Sequence, residues 1–160
     1  MSGQTLTVDG VSVPRLLYGT AWKEGETERL TALALRQGFR GVDTANQRKH
    51  YYEEGVGRAV GASGVPREEL FLQTKFTFRG GQDHRLPYDP NAPVAKQVEQ
   101  SFASSLAHLG ADVIDSYVLH GPTQRDGLGA AAVVNEFHRT PRLPVRRAEA
   151  VALRRPVEDV

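Results

Sequence analysis

The sequence predicts an α/β fold: the first half of a (β/α)8 barrel, capped at its start by a β-hairpin and truncated after its fourth strand. Three observations carry this. Strand-like and helix-like segments alternate along the chain, which implies a parallel sheet with right-handed crossovers. A two-residue turn signal stands near the start. Polar, chemically capable residues fall at or just past the ends of three strand-like runs, as a barrel active site requires. An open doubly wound sheet is the competing arrangement. It is disfavoured because Gly19 is followed by Thr20-Ala21-Trp22 rather than by a GxGxxG phosphate loop, and no Walker A pattern is present.

Leu6-Thr7-Val8 and Val11-Ser12-Val13 flank Asp9-Gly10, whose residues tolerate the positive φ of a tight hairpin turn. After Pro14, Arg15-Leu16-Leu17-Tyr18 reads as a short buried strand stopped by Gly19-Thr20. From Thr27 to Gln37, Leu30, Leu33 and Ala34 recur at helical spacing, with Glu26 and Glu28 early and Gly38 as the stop. Phe39-Arg40-Gly41-Val42 supplies the second strand, and Glu53 to Val60 a helix with Val56 and Val60 on one face before Gly61 and Gly64. Ser63, Pro66 and Arg67-Glu68-Glu69 predict a short helical turn leading into the strand Phe71-Leu72-Gln73-Thr74. A long helix from Val94 to Leu109 ends at Gly110, and Val113 to Leu119 is the fourth strand, rich in β-branched and aromatic residues.

Composition excludes several function classes. The 160 residues carry 20 basic and 19 acidic side chains, a net charge of +1 that argues for neither a nucleic-acid nor a membrane partner. With no cysteine, disulfides and thiolate metal sites are ruled out. The five histidines, His50, His84, His108, His120 and His138, show no spacing that pairs two on one helix face, so no metal site is expected. The N-terminus lacks the features of a secretory leader, and no run approaches the roughly 18 apolar residues of a membrane span. A soluble, cytoplasmic protein is expected.

The strand ends carry the chemistry. Asp43 and Tyr51 follow the second strand, Lys75 the third, and His120 the fourth. An acid, a phenol, an ammonium and an imidazole gathered there can together protonate a carbonyl oxygen. Singly, each residue has an ordinary reading. Asp43 could cap a turn, Lys75 could be a surface charge, and His120 could satisfy a loop carbonyl.

Gly41-Val42-Asp43-Thr44-Ala45, Leu72-Gln73-Thr74-Lys75 and Leu119-His120 resemble, in order and in strand context, three signature segments of the aldo/keto reductases. The resemblance covers about Leu6 to Leu128. It implies a (β/α)8 TIM barrel opened by a capping hairpin, and NADPH-dependent reduction of a small-molecule carbonyl substrate. By position, Tyr51 would be the proton donor. Lys75 would depress its pKa, Asp43 would anchor the ammonium, and His120 would hold the substrate oxygen. Gly19, Thr20 and Asp43 would meet the nicotinamide end of NADP(H), and Trp22 with His120 would line the substrate pocket. The segment Asn46-Gln47-Arg48-Lys49-His50-Tyr51-Tyr52 sets the phenol further from Asp43 than the usual five residues. Tyr52 therefore stays as the alternative donor, and His50 aligns instead when Val56-Gly57 is the anchor. Another (β/α)8 enzyme using Lys75, an isomerase or aldolase, is the less favoured reading.

A barrel of this kind needs roughly 250 residues. From Ala130 onward the chain contains no Gly or Lys, is rich in Ala, Val, Arg and Pro, and is interrupted by Pro141, Pro144 and Pro156. Residues 130–160 are therefore expected to be a separate, poorly ordered tail, leaving 1–129 as the partial barrel. In the family, the residues for the nicotinamide amide, its stacking partner and the 2′-phosphate lie on later strands, so reduced cofactor affinity is expected. An open four-stranded sheet has two unpaired edges. The second reading is thus a non-catalytic half-barrel that self-associates or binds another chain.

Overall fold

A computed structural model of the chain describes residues 5–8 and 11–121. The Asp9-Gly10 turn and the 130–160 tail lie outside the described residues. Strands β1 (Thr5–Val8) and β2 (Val11–Pro14) pair antiparallel, with Thr5 opposite Pro14, and form the expected hairpin. The rest is one four-stranded parallel sheet in the order β3 (Leu17–Gly19), β4 (Gly41–Asp43), β5 (Phe71–Phe76), β6 (Ser116–Leu119). Helices α1 (Thr27–Arg36), α2 (Glu53–Ala62) and α3 (Val94–Leu109) make the crossovers. Neighbouring strands are consecutive in the chain, which is the topology of half a (β/α)8 barrel.

The two-residue period of the strands sorts their side chains. Val42, Leu72, Phe76 and Tyr117 are buried in two apolar clusters beneath the helices. Thr74 is also fully buried and bonds to Glu53 of α2. The alternate residues Asp43, Gln73, Lys75 and Ser116 bond to one another on the other face. One cluster joins Leu35, Val42, Val56, Leu70, Leu72 and Leu109; the other joins Phe76, Tyr88, Val98 and Tyr117.

Several boundaries differ from the sequence expectation. The first sheet strand starts at Leu17, where pairing with Gly41 begins, while Leu16 is 71% exposed rather than buried. The third extends to Phe76, because His120 N–H donates to Phe76 O and carries the ladder past Thr74. Lys75 therefore lies inside a strand, opposite Val118. The fourth begins at Ser116, not Val113. Upstream, the Asp115 carboxylate accepts from Leu72 N–H (2.9 Å) and from Arg67 (2.5 Å), and Arg67 also donates to Val113 O (2.7 Å). Asp115 N–H still donates to Leu72 O (3.0 Å), so one backbone bond and these side-chain bonds hold the approach to β6.

Helix faces are also rotated from the simplest reading. The buried face of α1 is Thr27, Thr31, Ala34 and Leu35, whereas Leu33 is 38% exposed. On α3 the buried positions Val98, Ser101, Ser105 and Leu109 include two serines, whose small size allows close approach to the sheet. Gly110 ends α3 in the left-handed conformation at φ 61°, where a side chain would be strained.

Gly57 is where α2 meets the end of α3. A Cβ there would stand 2.3 Å from His108 O and 2.9 Å from the Leu109 backbone. Gly57→Ala is expected to destabilise the chain by about 1–3 kcal/mol, since the overlap is with backbone and outweighs the better helix propensity of alanine. Urea denaturation measures it, and a neutral or stabilising result would show that the helices separate freely.

Candidate active site

Asp43, Tyr51, Lys75 and His120 come together at the carboxyl end of the sheet. Asp43 is the last residue of β4, opposite Gln73. Lys75 Nζ donates to Asp43 Oδ1 and Oδ2 and to Thr44 O, each at 2.7 Å. These bonds use all three ammonium hydrogens. Gln73 Nε2 adds a bond to Asp43 Oδ1 (2.6 Å), and Gln73 Oε1 accepts from Ser116 Oγ (2.9 Å). The pair is partly buried, its side chains 13% exposed at Lys75 and 24% at Asp43. The ammonium is thereby held by both the carboxylate and the strand network.

Tyr51 follows β4 in the loop before α2, its N–H donating to Gln47 O (3.0 Å). The Lys75 ammonium lies 5.3 Å from its ring centroid, and the His120 ring lies 5.4 Å away in an edge arrangement at 74°. Burial pushes the Tyr51 phenol above its ordinary pKa of 10.0, and the Asp43 charge adds to that rise. The net shift is thus opposite to the depression expected from Lys75: the cation lies nearby but directs its hydrogens to Asp43, whose charge opposes it.

Tyr52 points its chemistry elsewhere. Its hydroxyl accepts from Arg58 Nη2 (3.1 Å), and its ring packs at Gly55 of α2. Of the two tyrosines, only Tyr51 sits against Lys75 and His120. His50 stacks on Trp22 with ring centroids 3.6 Å apart and is joined to it by Trp22 N–H to His50 O (2.8 Å).

His120 follows β6. Burial and then the Lys75 charge push its pKa below 6.5, so the imidazole is neutral at pH 7. Its Nδ1 lies 2.7 Å from Thr77 Oγ1.

Thr20 directly follows β3 at the same end of the sheet. It is fully buried, and both its N–H (3.0 Å) and its hydroxyl (3.1 Å) donate to Asp43 O. Its observed contact holds the Asp43 backbone. Gly19, opposite Asp43 in the register, is exposed, with no heavy atom within 4 Å of where a Cβ would stand. Trp22 is 68% exposed at φ 59°, a conformation a bulky residue adopts only under constraint. The His50 contacts supply that constraint.

Gln73, Thr77 and Ser116 were not singled out from sequence. Gln73 and Ser116 leave only a weak signal, as polar residues within strand-like runs. Thr77 leaves none. Among the described residues, no group of three His, Cys, Asp or Glu side chains could hold a metal ion, and no helix is long and apolar enough to cross a membrane.

The half-barrel has relatives among known proteins. The aldo/keto reductase family model matches residues 16–139, and the chain belongs to that family. Aldehyde reductase of Saccharomyces cerevisiae is 38% identical over 124 residues, 76% of this chain and 34% of that protein. Glycerol 2-dehydrogenase (NADP(+)) of the same yeast is 34% identical over 119 residues, 73% and 33% respectively. The crystal structure of an aldo/keto reductase from Brucella melitensis superposes with a TM-score of 0.63 at 28% identity, covering 84% of this chain and half of that one. The chain thus spans less than half the length of the curated relatives it matches.

Proposed function

We propose that this chain carries the proton-transfer site of an NADPH-dependent reductase acting on a small aldehyde or ketone in the cytoplasm. The observation that carries the reading is the Lys75–Asp43 pair set beside Tyr51 and His120 at the strand ends. Reduction of a carbonyl needs a hydride at carbon and a proton at oxygen. A bound reduced nicotinamide supplies the hydride. Gly19 fits the approach of its ring, since the space over this residue is open next to Asp43.

The chain's own residues supply the rest. Tyr51, protonated at neutral pH, gives its phenolic proton to the carbonyl oxygen. The nearby Lys75 charge stabilises the phenolate left behind, and Asp43, itself fixed by Gln73 and by the Thr20 bonds to its backbone, keeps that charge in place. A neutral His120 donates a hydrogen bond to the same oxygen as negative charge develops there. Trp22 offers an exposed indole as a wall for the substrate.

Titrating the purified chain with NADPH by nicotinamide fluorescence, then adding an aldehyde, tests this. Saturable binding and aldehyde-dependent oxidation are expected, with Tyr51→Phe losing about 10²–10⁴-fold in kcat and Tyr52→Phe retaining activity. No binding at millimolar cofactor would sink independent activity. The mass of the chain in solution decides a second reading, that the half-barrel self-associates. It is favoured by the edge strands β3 and β6, each of which has one neighbour among the described residues.

A further inference from the structure

Phe76 and Leu119 are the last paired residues of β5 and β6, so the register sets Thr77 and His120 side by side just past the strand ends. The ladder continues through His120 N–H to Phe76 O (3.0 Å), which fixes the backbone at that point. The Thr77 backbone is held from the other side too. Its carbonyl accepts from Tyr88 Oη (2.8 Å) and from Gln82 Nε2 (3.3 Å). Tyr88 is itself buried in the apolar cluster with Phe76, Val98 and Tyr117. The Thr77 hydroxyl thus meets His120 Nδ1 at 2.7 Å from a fixed platform rather than a free loop.

The direction of that bond follows from what each atom needs. Thr77 is 4% exposed, and among the described residues its hydroxyl has His120 Nδ1 as its partner. If Nδ1 carried the imidazole hydrogen, it would donate to Oγ1 and leave the hydroxyl's own hydrogen buried without an acceptor. A buried donor left in that state is costly. If the hydroxyl donates, both groups are satisfied. A neutral imidazole whose Nδ1 accepts must carry its hydrogen on Nε2.

We propose that Thr77 is a positioning residue: its hydroxyl donates to His120 Nδ1 and so holds the imidazole in the Nε2–H tautomer, the form with a hydrogen to give to a substrate oxygen. The consequence for catalysis rests on the reductase reading above. The tautomer assignment does not. Burial and the Lys75 charge keep the imidazole neutral, which the lock requires.

Long-range proton–nitrogen correlation spectra of the whole chain labelled with ¹⁵N-histidine, recorded above pH 7, test the tautomer directly. The spectrum of His120→Gln identifies the His120 signals. The wild-type chain is expected to show a protonated Nε2 and an unprotonated, hydrogen-bonded Nδ1. Thr77→Val is expected to give a mixture of tautomers or the Nδ1–H form, and Thr77→Ser to restore the wild-type pattern. An Nδ1–H wild type, or a Thr77→Val spectrum identical to wild type, would overturn the proposal. If Thr77→Val does not fold, the wild-type spectrum and Thr77→Ser decide it. This readout needs neither cofactor nor turnover. A chain with the expected tautomer but no carbonyl reduction would therefore count against the reductase reading alone. Where reduction is measurable, Thr77→Val is expected to lower kcat about 10–100-fold with Thr77→Ser near wild type, the scale of a misdirected hydrogen-bond donor.

Discussion

Glu53→Ala is expected to destabilise the chain by about 3–5 kcal/mol, the range for removing one partner from a buried charged network. The Glu53 side chain is 2% exposed at the first turn of α2. Its Oε1 accepts from Thr74 Oγ1 (2.5 Å) and Ser105 Oγ (3.0 Å), and its Oε2 from His108 Nδ1 (2.9 Å). These partners lie on β5 and α3, so one carboxylate ties a strand and two helices. A carboxylate only accepts, which makes His108 Nδ1 the donor. Alanine would leave two hydroxyls and an imidazole N–H buried without that acceptor, and a void beside them. Urea unfolding of wild type and Glu53→Ala measures the loss. Glu28, with its side chain 47% exposed and paired with Arg58, is the control, and its alanine variant should cost below about 1 kcal/mol. Equal losses at the two positions would show that the network contributes nothing beyond an ordinary surface pair.

Lys75→Met is expected to act on stability and chemistry together. Methionine keeps much of the aliphatic stem but removes the three donors that satisfy Asp43 and Thr44 O. Because Asp43 retains its Gln73 bond and is partly exposed, the cost is about 2–3 kcal/mol, below that of a fully buried pair. The same change removes the positive charge beside Tyr51. Since burial and Asp43 already hold that phenol above pH 10, losing the cation should push its ionisation higher still. Reduction would then leave a phenolate with no nearby countercharge, and kcat is expected to fall about 10²–10⁴-fold at equal folded fraction. Asp43→Asn complements it, since it keeps the side-chain shape and the Lys75 cation while removing the charge that anchors Lys75. Unchanged kcat in Lys75→Met would exclude any electrostatic role for the ammonium.

The strand-end residues were legible in sequence because the order strand, acid, strand, amine, strand, imidazole survives as a linear pattern. Choosing between Tyr51 and Tyr52 was not. They are adjacent, and only the start of α2 at Glu53 turns Tyr52 toward Arg58 and leaves Tyr51 against Lys75 and His120. The buried threonines and serines of α1 and α3 were likewise invisible to an apolar period, since their burial comes from close packing rather than hydrophobicity. Thr77 carried no sequence signal, as its significance lies in a residue 43 positions away.

By itself, the sequence determined the alternation of strands and helices, the parallel sheet it implies, the capping hairpin strands, and the family through three short segments. These are local or repeating properties, written in period and order. The tertiary structure decided where strands start and stop, through Asp115 and Arg67, and which phenol meets the ammonium. It also decided that Thr20 holds Asp43, that Lys75 spends its hydrogens on Asp43 and Thr44, and that Thr77 faces His120. Each of those outcomes depends on atoms brought within hydrogen-bonding distance by strand register, and register is settled only when the helices close over one face of the sheet.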